Sequence, residues 1–158
     1  MEEILLFNSY KLYSNGTIFS IKRQRFLKPS IARNGYYVVG LRNGDVNKTY
    51  YIHRLVAKFF LENINDLYVV DHIDRNKLNN NKDNLRWVSQ SLNCCNRGKH
   101  INNNTGYKYI CYSNNLNYYI LQIKRNGIRF RRCCKDLQPL IIYRNNYLDE
   151  INDPYPRE

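Results

Sequence analysis

Asp71 and His72 stand side by side behind an apolar run, Leu67–Val70, and Asn93 follows after a stretch crowded with asparagine. A carboxylate, an imidazole and an amide in this order suit the hydrolysis of a phosphodiester around one hard cation. A phosphodiester resists attack because its negative charge repels nucleophiles. A catalyst must therefore place positive charge on the phosphate, a base near water and help at the departing 3′ oxygen. Asp71 and Asn93 offer oxygen ligands, which favours one divalent cation, Mg²⁺ or Mn²⁺, over a metal that seeks thiolates. His72 stands between them, and an imidazole of ordinary basicity, pKa near ~6.5, is partly neutral at working pH.

The elements that must position these groups can be read from the pattern around them. Leu67–Val70 reads as a strand that ends in the Asp71-His72 pair. The loop after it holds Lys77-Leu78-Asn79-Asn80, a second short strand is expected at Leu85–Ser89, and Ser91 to about Lys99 has helical potential. This order puts Asp71 on a strand and Asn93 on a helix, where two oxygen ligands can meet. Upstream, His53–Leu61 reads as a short helix with Leu55, Val56, Phe59 and Phe60 on one face. His53, at the start of that helix and before its apolar stripe, reads as a packed or capping histidine. Asn96, one turn beyond Asn93, is placed to reach a phosphate or share the metal. Arg97 is a candidate phosphate clamp, and His100 reads as a surface histidine.

Charge points to the partner. The 158 residues carry a formal net charge of +12, an excess that suits a polyanion. No acidic residue lies between Glu3 and Asp45 or between Asp83 and Asp136, while lysine and arginine fill both spans. Glu62, Asp66, Asp71, Asp74 and Asp83 gather around the candidate metal site. A negative centre between two positive wings fits a protein that grips phosphates on both sides of a metal. The five cysteines form no C-x-x-C pair and are odd in number, which speaks against a zinc knuckle and a disulfide framework. Reduced thiols, no long apolar start and no run of membrane-spanning length lead us to expect a soluble intracellular protein without a membrane partner.

The flanking segments are β-like. Tyr13–Ile21, Tyr36–Leu41 and Lys48–Ile52 alternate or run with β-branched and aromatic residues, punctuated by Ser14-Asn15-Gly16, Asn34-Gly35 and Arg42-Asn43-Gly44-Asp45. Lys22, Arg23 and Arg25 lie in a basic loop among them. After a polar linker at Ile101–Asn104, strands are expected at Tyr107–Tyr112, Tyr118–Arg125 and Ile128–Cys134. Asn126-Gly127 predicts a type I′ hairpin turn that pairs Arg125 with Ile128, Lys124 with Arg129, Ile123 with Phe130 and Gln122 with Arg131. Tyr119, Leu121, Ile123, Ile128 and Phe130 then share one face, and Gln122, Lys124, Arg129 and Arg131 the other. Arg132 falls on the apolar side, which calls for a bulge or an edge position. Leu137, Leu140, Ile141, Leu148 and Ile151 at helical spacing predict a helix over the apolar face.

Three family resemblances follow from these residues. Asp71-His72, Asn84 and Asn93 resemble the ββα-metal motif of HNH endonucleases, in the Asp-His/Asn/Asn version of phage and intron-encoded homing enzymes. The flanks His53-Arg54-Leu55-Val56-Ala57, Lys77-Leu78-Asn79-Asn80 and Asn84-Leu85-Arg86-Trp87-Val88 are similar too. The resemblance implies that Asp71 and Asn93 hold the ion, that His72 activates water, and that Asn84 holds the loop and so orients His72. It also implies nicking or double-strand cleavage of DNA, leaving 5′-phosphate and 3′-hydroxyl ends. The first fifty residues resemble the NUMOD-type module that often precedes such motifs. Three strands and a helix, with Gly106-Tyr107-x-x-Ile110 and Asn126-Gly127, resemble the DNA-binding domain of the plant ethylene-response-factor family.

The expectation is thus an α+β chain of three parts. Residues 1–50 form a β-rich NUMOD-like module and 51–100 the central nuclease motif. Residues 101–158 form a three-stranded antiparallel sheet packed on one helix. The expected partner is double-stranded DNA, gripped through Lys22, Arg23, Arg25, Arg97, Lys124, Arg129 and Arg131, by a monomer. The competing reading is a DNA-binding regulator that keeps a degenerate HNH fold without cutting.

Overall fold

The computed structural model describes residues 2–125 and 127–153. The chain is α+β and gathers into two compact units, Met1–Cys95 and Asn96–Glu158.

The first unit opens with four short antiparallel strands, β1 (Glu3–Leu6), β2 (Tyr10–Tyr13), β3 (Ile18–Ser20) and β4 (Arg25–Phe26), in the order β1-β2-β3-β4. Sequence reasoning saw one run from Tyr13 to Ile21 here. It is a hairpin instead, because Ser14-Asn15-Gly16 turns the chain, with Gly16 at φ +85° where a side chain would be strained. β5 (Ser30–Ile31), β6 (Tyr37–Asn43) and β7 (Val46–Tyr51) form a second sheet. The turn between β6 and β7 sits at Gly44, as the Asn43-Gly44 signal predicts. β1, β4 and β5 were not foreseen, being two to four residues long with little alternation to read.

α1 (Ile52–Phe60) continues directly from β7. Ile52, Leu55, Val56 and Ala57 are buried on one face, and His53 is buried with them. Phe59, expected on that face, is instead 38% exposed, with the Lys58 ammonium 5.6 Å from its ring centre. A helix of nine residues has room for one buried stripe, and Phe59 lies beyond its edge. β8 (Val69–His72) follows, then a loop, a single 3₁₀ turn (Lys82–Asn84), β9 (Leu85–Val88) and α2 (Gln90–Cys95). β8 starts two residues later than expected and runs through Asp71 and His72. Both site residues are therefore held by ladder hydrogen bonds to β9 rather than hanging from a strand end. α2 is shorter than the predicted Ser91–Lys99, since asparagine and glycine at 96 and 98 are weak helix formers.

One core serves this whole unit. Leu6, Leu12 and Ile18 of the first sheet meet Val39 and Leu41 of the second, Ile52–Ala57 of α1, and Val70 and Leu85 of the β8–β9 ribbon. The expected first and second segments therefore share their buried side chains.

The second unit has its own core. β10 (Ile110–Ser113), β11 (Tyr118–Arg125) and β12 (Ile128–Cys134) form an antiparallel sheet in that order, and α3 (Leu137–Glu150) packs on β11 and β12. Ile110, Leu121, Ile123, Leu140 and Leu148 are its buried residues. The pairing is the predicted one, from Arg125 with Ile128 to Gln122 with Arg131. Of the turn that sets it, Gly127 has φ +82° while Asn126 lies outside the described residues. Ile128, expected on the covered face, is 67% exposed at the hairpin tip. Arg132 needs no bulge, because β12 is an edge strand. Its guanidinium lies 5.6 Å from the Phe130 ring centre and 5.9 Å from that of Tyr143, and the residue remains exposed. The Ile101–Asn104 segment is more than a linker: Asn103 donates to the carbonyls of Tyr107 and Ile110 at 2.9 and 2.8 Å, pinning the approach to β10.

Because the first unit has one core, Leu12→Ala, although made in the N-terminal sheet, should destabilise the β8–β9 ribbon as well. The expected cost is about 2–5 kcal/mol. Hydrogen exchange checks this, with protection lost together at the amides of β2 and of β8–β9. Loss confined to the N-terminal strands would contradict the shared core.

Candidate active site

Asp71 and His72 sit at the end of β8, 5% and 4% exposed. Asp71 is directly opposite Arg86 in the ladder. That register brings the guanidinium onto the carboxylate, with Nε and Nη2 donating to Oδ2 at 3.0 and 2.9 Å. A carboxylate this deep needs hydrogen-bond donors, and the opposite strand supplies them. Sequence reasoning named Arg86 only as part of a flank. No sequence signal fixes this pair, since the long loop between the two strands leaves their register open, and only the folded ribbon sets 71 against 86.

His72 is held from two sides. Its Nε2 faces Asn80 Oδ1 at 3.4 Å, a long hydrogen bond. Asn80 in turn donates through Nδ2 to the Leu78 carbonyl at 3.1 Å, which turns its oxygen toward the ring. An amide oxygen only accepts, so this arrangement puts the His72 proton on Nε2 and makes Nδ1 the basic nitrogen. On the other side, the His53 ring lies edge-on to His72 with centres 5.2 Å apart, and the Tyr36 ring is 5.7 Å away. Burial pushes the basicity of His72 below its ordinary value, against the opposing pulls of Asn80, Asp74 and Asp71. The imidazole is therefore neutral at pH 7, the form a proton acceptor needs.

Asn84 does not touch His72 in this arrangement. It grips the loop: its Nδ2 donates to Asp74 Oδ1 and to the Asn79 carbonyl, both at 2.9 Å, and its Oδ1 accepts from the Asp74 amide at 3.0 Å. Asp74 also receives the Asn79 amide at 2.8 Å and the Asn76 backbone N–H at 2.7 Å. Burial works against the charge on Asp74, but the donors of Asn79, Asn84 and Asn76 outweigh it and hold the carboxyl below its usual range. Asn79, held through its carbonyl, is the neighbour of the residue that meets His72. Asn80 is the residue sequence reasoning overlooked, being one asparagine among several.

Asn93 lies on α2, whose first turn is capped by Ser89. The hydroxyl accepts from the Leu92 N–H at 3.2 Å and the Ser89 carbonyl from the Asn93 N–H at 3.0 Å. α2 packs on β8 and β9. Asn93 lines a cleft of about 220 Å³ with Val69, Val70, His53, Arg54, Tyr36, Tyr51 and Asn34. The strand that carries Asp71 and His72 and the helix that carries Asn93 thus wall one opening. His53 is part of that wall, 6% exposed, with its buried Nδ1 lacking a hydrogen-bond partner. Burial first, and then the neighbouring His72 and Arg54, push its pKa down to about 3. The packed reading of His53 fits this environment.

Among the described residues no three His, Cys, Asp or Glu side chains cluster as a metal cage. The oxygen donors expected from the sequence are instead one buried carboxylate, Asp71, and one amide, Asn93. Those are hard oxygen donors, and a cation held by them keeps positions for water and phosphate oxygens. The five cysteines are free thiols. Of the expected phosphate contacts, Lys22, Arg23 and Arg25 are exposed on and beside β4. Arg97, Lys124, Arg129 and Arg131 are exposed in the second unit, where Lys124 pairs with Arg129 and Gln122 with Arg131 on one face of the sheet. Asn96 is buried and His100 lies in an exposed turn, its Nδ1 accepting from the Asn102 N–H at 3.3 Å.

Residues 50–93 match the family profile described as HNH endonuclease, and residues 7–42 match the NUMOD4 motif. The segment that carries Asp71, His72 and Asn93 is therefore similar to HNH endonucleases. Similar proteins include the DNA endonuclease I-HmuI of Bacillus phage SP01, 45% identical over 84 residues, which are 53% of this chain and 48% of that protein. An uncharacterized HNH endonuclease of Acanthamoeba polyphaga mimivirus is 43% identical over 86 residues, 54% of this chain and 26% of that protein. The structure titled "DNA binding and cleavage by the HNH homing endonuclease I-HmuI" superposes with a TM-score of 0.57 at 41% identity. It covers 61% of this chain and 57% of that one. The chain spans about half or less of the length of these curated relatives. No helix among the described residues is long and apolar enough to cross a membrane.

The His53 environment sets a pH dependence. The unfolded chain takes a proton on this imidazole near pH 6.5, while the folded unit refuses it until about pH 3. Between these values the unfolded state binds more protons, so stability falls as pH falls, by up to about 1.4 kcal/mol per unit. Above pH 6.5 the contribution is level. Denaturant melts at pH 7.5 and pH 5 should show the parent losing more than a His53→Phe variant. Equal losses would remove His53 from this role.

Proposed function

We propose that this protein is a metal-dependent endonuclease of the homing type that hydrolyses phosphodiester bonds in double-stranded DNA. The observation that carries the reading is the neutral, buried His72 beside the Arg86-held Asp71, on a strand packed against the helix of Asn93. Asp71 and Asn93 would hold one Mg²⁺ or Mn²⁺, which when bound supplies positive charge for the scissile phosphate and the departing 3′ oxygen. His72 accepts a proton from the attacking water at Nδ1, while Nε2–H stays anchored on Asn80. Asn84 keeps the loop of Asp74 and Asn79 in one shape and so fixes where Asn80 presents its oxygen. Arg86 fixes the direction of the Asp71 carboxylate.

The basic surfaces supply grip. Lys22, Arg23 and Arg25 reach phosphates from the first unit and Arg97 from the second. The face carrying Lys124, Arg129 and Arg131 suits a sheet laid against a groove, in the manner of the ethylene-response-factor fold. Contacts of this kind make binding strongly salt-dependent. One site per chain fits nicking of one strand by a monomer.

Supercoiled plasmid tests the reading. With Mg²⁺ or Mn²⁺ the parent should yield relaxed or linear product, and with chelator none. His72→Ala should cut about 10²–10⁴-fold more slowly while still retarding DNA in a gel. Asp71→Ala should lose cutting and most Mn²⁺ affinity. Retardation without cleavage at any metal concentration would leave a DNA-binding regulator.

A further inference from the structure

The NUMOD4 segment reaches the active-site loop. Gly16, at the tip of the β2–β3 hairpin, is buried against Asn80: a Cβ added there would stand 2.8 Å from Asn80 Cβ and 3.2 Å from its carbonyl oxygen. The same hairpin is tied to the loop by its backbone, since the Lys82 N–H donates to the Ser14 carbonyl at 2.8 Å. Lys82 Nζ also meets Glu2 Oε1 at 2.6 Å. The hairpin tip is itself shaped by Asn15, whose Oδ1 accepts from Thr17 N–H and Oγ1 at 3.0 and 2.8 Å. A second turn of the segment closes the other end of the loop. Lys77 Nζ donates to the Asn34 carbonyl at 3.0 Å and lies 4.8 Å from the ring centre of Tyr36, which packs on His53 and faces His72.

We propose that the NUMOD4 hairpin is a working part of the nuclease site: Gly16 acts as a backstop that presses Asn80 toward His72, making Gly16 and Asn80 positioning residues for the base. The steric argument is direct. Asn80 is 5% exposed, and a Cβ added at residue 16 would meet its Cβ at 2.8 Å and Ile52 Cγ2 at 3.1 Å. With Ile52 on its other flank, the added atom must push on Asn80, whose oxygen faces His72. Glycine is required here twice, by the positive φ and by the contact. Its counterpart Gly44, in the β6–β7 turn of the same unit, is required only once: it has φ +57° and nothing within 4 Å of an added Cβ. The two glycines therefore separate backbone strain from pressure on Asn80.

This inference rests on the nuclease reading for its activity readout and stands apart from it in its spectroscopic one. Gly16→Ala and Gly44→Ala are compared with the parent in the full chain. The ring-nitrogen NMR signals of His72 should move in Gly16→Ala and stay in Gly44→Ala, and this holds even if the protein cuts no DNA. If it cuts, Gly16→Ala should lower kcat by about tenfold or more with KM for DNA within about twofold, and Gly44→Ala should leave both unchanged. In an Asn80→Ala background Gly16→Ala should cost nothing further, the non-additivity expected of residues acting through one another. Should Gly16→Ala fail to fold by circular dichroism, Asn15→Ala, which adds no atom and loosens the hairpin tip, takes its place with the same expected split. Unmoved His72 signals in a folded Gly16→Ala or Asn15→Ala protein would overturn the proposal. So would effects of Gly16→Ala and Asn80→Ala that multiply.

Discussion

A two-stranded ribbon cannot hold its own shape in water, and β8–β9 is such a ribbon, four residues to a strand. Everything the site does depends on what this ribbon leans against. Val70 and Leu85 anchor it in the core that α1 and both N-terminal sheets also fill. With that anchorage the alternation of the strand decides the rest: Val70 points into the core, and Asp71 faces its cross-strand partner. The long loop between the strands is then tied down by polar bonds, because it has few apolar groups to bury.

Those polar bonds solve an electrostatic problem as well as a geometric one. The site buries a carboxylate and two imidazoles, the two rings 5.2 Å apart between centres. Asp71 is ion-paired with Arg86 directly across the ladder. The imidazoles stay neutral because burial disfavours their charged forms, most strongly for His53. A neutral imidazole beside an ion-paired carboxylate is thus set by depth and strand register, with a chain of asparagine amides holding the directions.

Much of this was legible in the sequence. The Asn126-Gly127 signal fixed the whole β11–β12 register, since a two-residue turn leaves only one pairing. The order strand, loop, strand, helix placed Asp71, His72 and Asn93 on the right elements. What escaped has physical reasons. Strands of two to four residues carry too little alternation to be seen. The end of α2 depends on weak helix formers whose effect is a matter of degree. Asn80 looked like its neighbours because a loop of asparagines offers the same side chain at every step, and only the folded hairpin at Gly16 singles one out. Arg86 escaped because a long loop, unlike a two-residue turn, leaves the pairing of its two strands open.

The division of buried side chains has a consequence for how such proteins change over time. Leu121, Ile123, Leu140 and their neighbours keep company only with one another, while Leu12 and Val70 share a single interior. Recombination that joins a new sequence after Cys95 would leave both interiors whole. A crossover near residue 50 would split one of them. The second unit can be traded at the first junction; the β8–β9 ribbon and its N-terminal hairpins must be inherited together.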